Sequence, residues 1–427
     1  MVSDPELIKQ ILDTEFRSFA DRRPPPIDVK SSFSFILPAL TGGDWDRMHR
    51  IYKYVFTPEN ELKIIPKVND CCDQLIDAWN QRIFDKDNEI DTDVSLRNLA
   101  LDMIAWTVFG TRVSPEFTEG TRKLTQCLLP MRFIMTLFPK TVERMSRTIQ
   151  PYVDSHDKYF LDYLNQEIIL RDRNDDCGND FLQLFMNLRK SNSFGQLICS
   201  ANSVPDVDLL NKQEMIWQLF TFPFWGFESM SATLGFALYE LALNPDIQDR
   251  LRNEIITICD NHNNNNRSVN INSFDKLIYL EAFLLEVHRK YPVFYRLSRR
   301  LTEDAVVGAD TGIVMSKQQI INIPVHALHH NPSYYPEPQL FEPDRFMPEN
   351  IVNIKPYTYL AYGSGPRQCI AKRFAQMQLK LVLCRMLCEY EFYKLIDTTV
   401  PPVYRKNPEA VTVSQPLVLG IKKWIQN

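Results

Sequence analysis

The chain has 427 residues, 44% of them hydrophobic and 24% charged, with a formal net charge of −5. That length could hold several domains, but no Gly/Ser- or Pro-rich linker divides it, which favours one large domain with an ample core. The acidic balance excludes the basic field that a nucleic-acid binder needs.

The N-terminus, MVSDPELIKQIL, has neither the basic stretch nor the apolar core of a secretory signal. No run reaches the roughly 18 apolar residues that a transmembrane helix requires, so the chain as written is expected to be soluble or peripheral. The cysteines (Cys71, Cys72, Cys127, Cys177, Cys199, Cys259, Cys369, Cys384 and Cys388) form no C-x-x-C pair and no zinc spacing, which suits a reducing compartment.

Most of the first 290 residues read as helix. LRNLALDMIAWTVFG (96–110) has helical apolar spacing, and Gly110 makes a stop. HDKYFLDYLNQEIILRDRNDD and DFLQLFMNLRKS read as two further helices split near Gly178. EMIWQLFTFPFWGFESMSATLGFALYELALNPD has the length and composition of one buried helix, yet Pro223, Gly226, Glu228, Ser229 and Ser231 crowd its middle. Pro223 removes an interior N–H and is expected to kink the helix there, at about 3 kcal/mol if uncompensated. DNHNNNNRS (260–268) reads as a polar surface loop, and FDKLIYLEAFLLEVHRKYP (274–292) as a helix ending before Pro292.

The texture then changes. RLTEDAVVGADTGIVMSKQQIINIP (300–324) is rich in β-branched residues and punctuated by Gly308 and Gly312, which predicts hairpin strands. A proline-studded irregular segment follows (331–350), then a helix from about Ile370, and the tail AVTVSQPLVLGIKKW predicts a last strand pair.

The most specific chemistry lies in YGSGPRQCIAKRFA (362–375). Gly363, Gly365 and Pro366 impose a tight turn. Ile370, Phe374, Met377, Leu381, Cys384 and Cys388 form one apolar stripe on the helix that follows. A cysteine at a helix start, with Arg367 beside it, favours the thiolate, which serves as a nucleophile or a metal ligand. An isolated cysteine is most often an inert small hydrophobe, but here turn, arginine and helix start converge on one residue. A cysteine protease would need a partner histidine, and none of the seven stands in a recognisable context. A haem-thiolate ligand fits better.

This loop resembles the haem-binding signature of the cytochrome P450 family, F-x-x-G-x-R-x-C-x-G, with Tyr362, Gly365, Arg367 and Cys369 in register. It is most similar to the animal microsomal group that handles drugs, toxins and steroids. Tyr362 departs from the family's Phe and Ala371 from its last Gly; the ring is kept, and only a methyl is added. The resemblance runs from VSDPELIKQIL to LVLGIKKW. It implies a mostly α fold with a small β part, the cytochrome P450 fold, as a single domain over residues 1–427 that lacks the family's N-terminal anchor and first elements.

By that resemblance the cofactor is haem b, with Cys369 as the axial thiolate and Arg367 at a propionate. EVHR and FEPDRF match the family's buried charge triad, Glu286, Arg289 and Arg345, expected to lock the core rather than do chemistry. In YPVFYRLSR, Arg299 is expected at a propionate, and Val293 and Phe294 in the substrate pocket. GDWDRMHR resembles a W-x-x-x-R helix in which Trp45 matches and His49 holds the arginine position. Arg22 is a further propionate contact or, equally, a solvated surface charge.

FPFWGFESMS lies on the family's oxygen-handling pattern, with Gly226, Glu228 and Ser229 at the glycine, acid and threonine positions. Proton delivery there needs an acid and a hydroxyl, and both are kept. Trp225 stands where the family has Ala or Gly and would fill much of the pocket unless turned away. The implied enzyme is a haem-thiolate monooxygenase that inserts one oxygen atom from O2 into an apolar organic substrate: a xenobiotic, a steroid or a fatty-acid-like molecule.

Electrons would come from NADPH through NADPH-cytochrome P450 reductase, with cytochrome b5 as a further partner, since no G-x-G-x-x-G fingerprint is present. Arg367, Lys372, Arg373 and Lys380 would form a docking face, unless the two lysines are simply solvated. Relatives sit on the cytoplasmic face of the endoplasmic reticulum membrane; without an anchor the chain would be cytoplasmic, or associated with a membrane surface. Two alternatives stand beside this reading. Trp225 and Pro223 could mark a catalytically impaired haem-binding protein (a pseudoenzyme, sensor or carrier), and a helical scaffold without haem is disfavoured by the retained Cys369, Arg367 and Arg299.

Overall fold

The computed structural model describes residues 1–22, 35–112, 158, 161–173, 178–189, 209–259, 271–308, 312–404, 411 and 413–425. They are mostly α with a small β part, and they fall into two compact units. The first unit comprises Met1–Phe19, Ile65–Ala100 and Glu228–Asn427, the second Ala20–Ile64 and Leu101–Phe227.

In the first unit the chain starts by building a core layer. Asp4 caps the Pro5–Lys9 helix, its carboxylate accepting from the N–H groups of Glu6 and Leu7 at 3.0 Å each. A π-turn over Gln10–Thr14 follows. Ile8, Ile11 and Leu12 are fully buried against Leu301, Ile323 and Leu360, and each such burial contributes about 1.5–3 kcal/mol. The β part is three small antiparallel sheets. β1 (Glu89–Asp91), β7 (Val418–Lys423) and β6 (Tyr390–Tyr393) lie in the order β1-β7-β6. β2 (Leu297–Arg300) pairs with β5 (Ile320–Ile323), and β3 (Ala305–Val307) with β4 (Ile313–Met315).

The hairpins expected over 300–324 are therefore present, turning through Gly308 and Gly312, both at positive φ. Among the described residues the tail contributes one regular strand and not the expected pair. Its one regular strand, β7, is sandwiched between β1 and β6, distant stretches of the chain, with Ile90 opposite Leu419 and Phe392 opposite Ile421.

Two long helices frame the site. The Ile278–Lys290 helix has no side-chain cap of its own at Leu277. Glu254, from the Pro245–Cys259 helix, accepts from its Tyr279 and Leu280 N–H groups at 2.7 and 2.9 Å and satisfies those donors. The Lys372–Glu389 helix is buried almost all round, not along one stripe. Phe374, Leu381 and Cys384 face the core as expected, whereas Cys388 is exposed. Its polar residues are buried because they are matched: Arg385 bonds Asn69 and Asp73 of the Pro66–Phe84 helix.

In the second unit the Gly42–Val55 helix buries Trp45, Met48, Ile51, Tyr52 and Val55, a spacing of three and four. Arg47 ties it to Glu214 at 2.8 Å, within the capping box that starts the Lys212–Leu219 helix. The Thr92–Val108 helix, whose residues from Leu101 on belong to this unit, stops as its Gly110 predicts. That glycine sits at φ +63°, and a Cβ there would lie 2.3 Å from the Asp180 carboxylate. Asp180 itself caps the Phe181–Asn187 helix and pairs with Arg171 at 2.8 Å. Phe56, Phe181, Phe185 and Phe222 pack their rings together. The loop expected over 260–268 lies outside the described residues.

Among the described residues, no helix is long and apolar enough to cross a membrane.

Candidate functional site

The cysteine loop is a closed turn of the first unit. Gly363 N–H bonds the Leu360 carbonyl and Cys369 N–H returns to the Tyr362 carbonyl, both at 2.9 Å. Gly363 and Gly365 take φ of +75° and +69°. A Cβ on Gly365 would stand 1.8 Å from the Leu12 carbonyl oxygen, so only glycine lets the loop lie against the N-terminal layer. Gly363 faces Leu297 of β2, which sets that strand beside the loop. The helix starts at Lys372, three residues beyond Cys369, and Lys372 N–H donates to the Cys369 carbonyl. The Cys369 side chain is exposed, while Arg367 beside it is buried.

The triad assembles. Glu286 and Arg289 form a fully buried ion pair with two hydrogen bonds, Arg289 Nε donating to Oε2 at 2.6 Å and Nη2 to Oε1 at 2.7 Å. Arg345 Nε approaches the same carboxylate at 3.7 Å, and Glu342 N–H donates to it at 2.9 Å. Burial raises the Glu286 carboxyl above its ordinary value against the pull of these cations and the N–H group. Arg289 Nη1 reaches the His329 carbonyl at 2.9 Å, so the triad pins the helix to the segment that leads into the loop.

That segment holds residues the motifs did not reveal. His329 is fully buried, its Nδ1 3.1 Å from the Arg289 carbonyl and its Nε2 accepting from Leu360 N–H at 2.9 Å. It therefore couples the E-x-x-R helix to the loop's first turn. Burial lowers its basicity to about 3, so the ring stays neutral and keeps both bonds. His288, inside the EVHR motif, meets Tyr362: the phenol oxygen lies 3.2 Å from its Nε2. Neither histidine carries a spacing signal, because each meets a partner far away in sequence.

Arg299 lies buried on β2 opposite Ile321, with Nη1 bonded to the Ser298 carbonyl at 3.0 Å. Arg299 and Arg367 are both almost fully buried, and both side chains make further contacts. Two buried guanidinium groups, one of them two residues from a soft sulfur at a loop surface, are the chemistry that suits a metal macrocycle carrying carboxylates.

Other expected residues fall as follows. The Val293 carbonyl accepts from Val411 N–H at 3.0 Å, and both Val293 and Phe294 are half-buried. In the second unit Trp45 is buried and stacks on His49, with ring centroids 4.8 Å apart and planes 16° apart, as i,i+4 helix neighbours do. Arg22 is half-buried. The expected docking face is corrected: Lys380 is buried, paired with Glu281 at 2.8 Å and bonded to the Phe274 carbonyl, and Arg367 is buried too. Lys372 sits 5.6 Å from the Tyr362 ring centre, and Arg373 is exposed.

The proline in FPFWGFESMS is accommodated by a π-turn, Phe222–Gly226, that runs straight into the Phe227–Leu243 helix. A π-turn widens the hydrogen-bond ladder where a proline would break it. Glu228 and Ser229 occupy the next turn, half-buried. The Ser229 carbonyl accepts from Thr233 Oγ1 and the Glu228 carbonyl from Ser231 Oγ. A Cβ on Gly226 would meet Ile104 only at ordinary contact distance, 3.5 Å. The Trp225 side chain lies outside the described residues.

Known proteins agree with this geometry. The family model for cytochrome P450 matches residues 1–421. The chain is 30% identical over 416 residues to a Drosophila melanogaster protein named "Probable cytochrome P450 6a13", a match spanning 94% of this chain and 78% of the relative. It is 28% identical over 432 residues to thromboxane-A synthase of Macaca fascicularis, spanning 94% and 79%. To cytochrome P450 3A31 of Mesocricetus auratus it is 31% identical over 424 residues, spanning 94% and 78%. With the match running over almost its whole length, this chain belongs to the cytochrome P450 family, the monooxygenases that bind haem b through a cysteine thiolate.

Proposed function

We propose that Cys369 is the axial haem ligand of a monooxygenase whose substrate is an apolar organic molecule of the xenobiotic, steroid or fatty-acid-like class. Residues 1–427 form one cytochrome P450 domain in this reading. The observation that carries it is the closed glycine turn that holds Cys369 at its surface with buried Arg367 alongside. Bound haem supplies the activation of dioxygen; the protein holds, orients and protonates.

Arg367 and Arg299 hold the propionates with guanidinium donors; for Trp45, His49 and Arg22 the propionate role rests on the family pattern alone. Glu286, Arg289 and Arg345 fix the core behind the loop. Glu228 relays a proton and Ser229 orients it through its hydroxyl. Val293 and Phe294 line the substrate pocket, and the family pattern assigns Trp225 a substrate-pocket role as well. Electrons arrive from NADPH through a separate flavoprotein reductase, with cytochrome b5 as an additional donor. Arg373 and Lys372 remain of the basic docking face once Lys380 is withdrawn into its ion pair. The site of action is the cytoplasmic face of the endoplasmic reticulum membrane, as for microsomal relatives.

Reconstitution with reductase and NADPH tests this. Wild type should consume NADPH and release oxygenated product from apolar substrates, and Glu228→Gln should slow product formation about 100-fold while retaining haem. Wild type that stays inactive, with Trp225→Ala turning over, would overturn the assignment of a working oxygenase.

A further inference from the structure

Tyr362 stands at the position that the signature gives to phenylalanine, so its hydroxyl is an addition that this half-buried position must satisfy. The structure supplies one partner, His288 Nε2, at 3.2 Å. The direction of that bond follows from the other ring nitrogen. His288 Nδ1 lies 2.7 Å from the Leu284 carbonyl, which can only accept, so Nδ1 carries the proton and Nε2 is a bare acceptor. The phenol therefore donates. The two rings also touch, with centroids 4.9 Å apart at 47°, and the Lys372 ammonium lies 5.6 Å from the phenol ring centre. His288 is buried, and burial lowers its basicity to about 4, which keeps Nε2 available as an acceptor.

The loop makes the consequence specific. Cys369 N–H bonds the Tyr362 carbonyl, so the two residues close one turn. Without His288 the hydroxyl loses its partner within the turn that presents Cys369, and a hydrogen bond turned instead to the ligating sulfur would draw away electron density.

We infer that His288 is a positioning residue: by accepting the Tyr362 hydroxyl it fixes the phenol ring beside Cys369 and keeps its O–H off the ligating sulfur. Toward the thiolate, Tyr362 then behaves as the family's phenylalanine. The inference rests on Cys369 being the haem ligand.

The test uses haem-loaded protein and four variants: His288→Leu, His288→Gln, Tyr362→Phe and the Leu/Phe double. The readouts are the ferric/ferrous midpoint potential and the lifetime of the red-shifted ferrous–carbonyl band. His288→Leu should move the potential positive and shorten the lifetime about tenfold. His288→Gln, which keeps an acceptor, should restore most of both, and the double variant should return the potential to the wild-type value because no hydroxyl remains. A double variant no better than His288→Leu, or an unmoved potential in His288→Leu, overturns the inference. If His288→Leu fails to load haem, loading by the double variant supports the inference and its failure overturns it. Wild type lacking the red-shifted band would instead remove the Cys369 assignment itself.

Discussion

Replacing Glu286 by Gln removes one negative charge from a site where Glu286 and Arg289 both have side chains at 0% exposure. Arg289 then keeps a buried positive charge whose Nε and Nη2 donors face a neutral amide, and the Glu342 N–H loses its anionic acceptor. With no solvent to screen the loss, breaking such a pair costs about 3–5 kcal/mol. For 427 residues, an unfolding entropy of about 2.1 cal/mol/K per residue gives about 0.9 kcal/mol/K, so Tm should fall by about 3–6 °C. The assay is thermal and denaturant unfolding of haem-loaded protein, followed by far-UV circular dichroism and by haem release. Haem release should move earlier as well, because Arg289 braces the segment leading to the cysteine loop through His329. The double variant Glu286→Leu/Arg289→Met leaves no orphaned charge and should cost less than the sum of the single losses. A Glu286→Gln Tm within about 1 °C of wild type, or a double variant at or beyond that sum, would refute the reasoning.

Two further outcomes are expected. Gly365→Ala should abolish stable haem loading, since its Cβ would overlap the Leu12 carbonyl at 1.8 Å, whereas Gly363→Ala, whose nearest contact is 3.6 Å, should lose only the roughly 1–2 kcal/mol of the left-handed backbone; equal effects in the haem-loading assay would contradict the packing argument. His329 is held near 3 from an ordinary 6.5, so the unfolded chain binds a proton below about 6.5 that the native ring refuses, and stability should fall with pH toward about 3 by up to about 1.4 kcal/mol per unit. Denaturation midpoints taken across that range should show a flatter acid limb in His329→Gln; parallel limbs would count against it.

The cysteine loop was legible because its information is local. Gly363, Gly365, Arg367 and Cys369 sit within seven residues, and the turn they demand is the turn that forms. The Glu286–Arg289 pair was legible for the same reason, as i,i+3 helix neighbours. What escaped depended on distant partners. β7 was visible as a strand, but β1 and β6 were not visible as its neighbours, since no local pattern records a ladder closed across the chain. Lys380 and Arg385 look like surface charges until Glu281 and Asp73 are brought to them. The apolar stripe read on their helix missed that nearly every face of it is covered, and Cys388 lies on a remaining open one. Pro223 predicted a disturbance correctly, while its form, a π-turn that carries the chain on into the next helix, depends on backbone accommodation that composition does not encode. His288 and His329 were silent because a buried neutral histidine is defined by what surrounds it.

The central claim is that Cys369 bears the haem, and the reduced-plus-carbon-monoxide difference spectrum of purified protein tests it most directly. Wild type should show the red-shifted Soret band of a thiolate-ligated haem, and Cys369→Ser should lose that band while the Glu286–Arg289 core keeps its secondary structure. A wild type without the band, or a Cys369→Ser variant that retains it, would contradict the account.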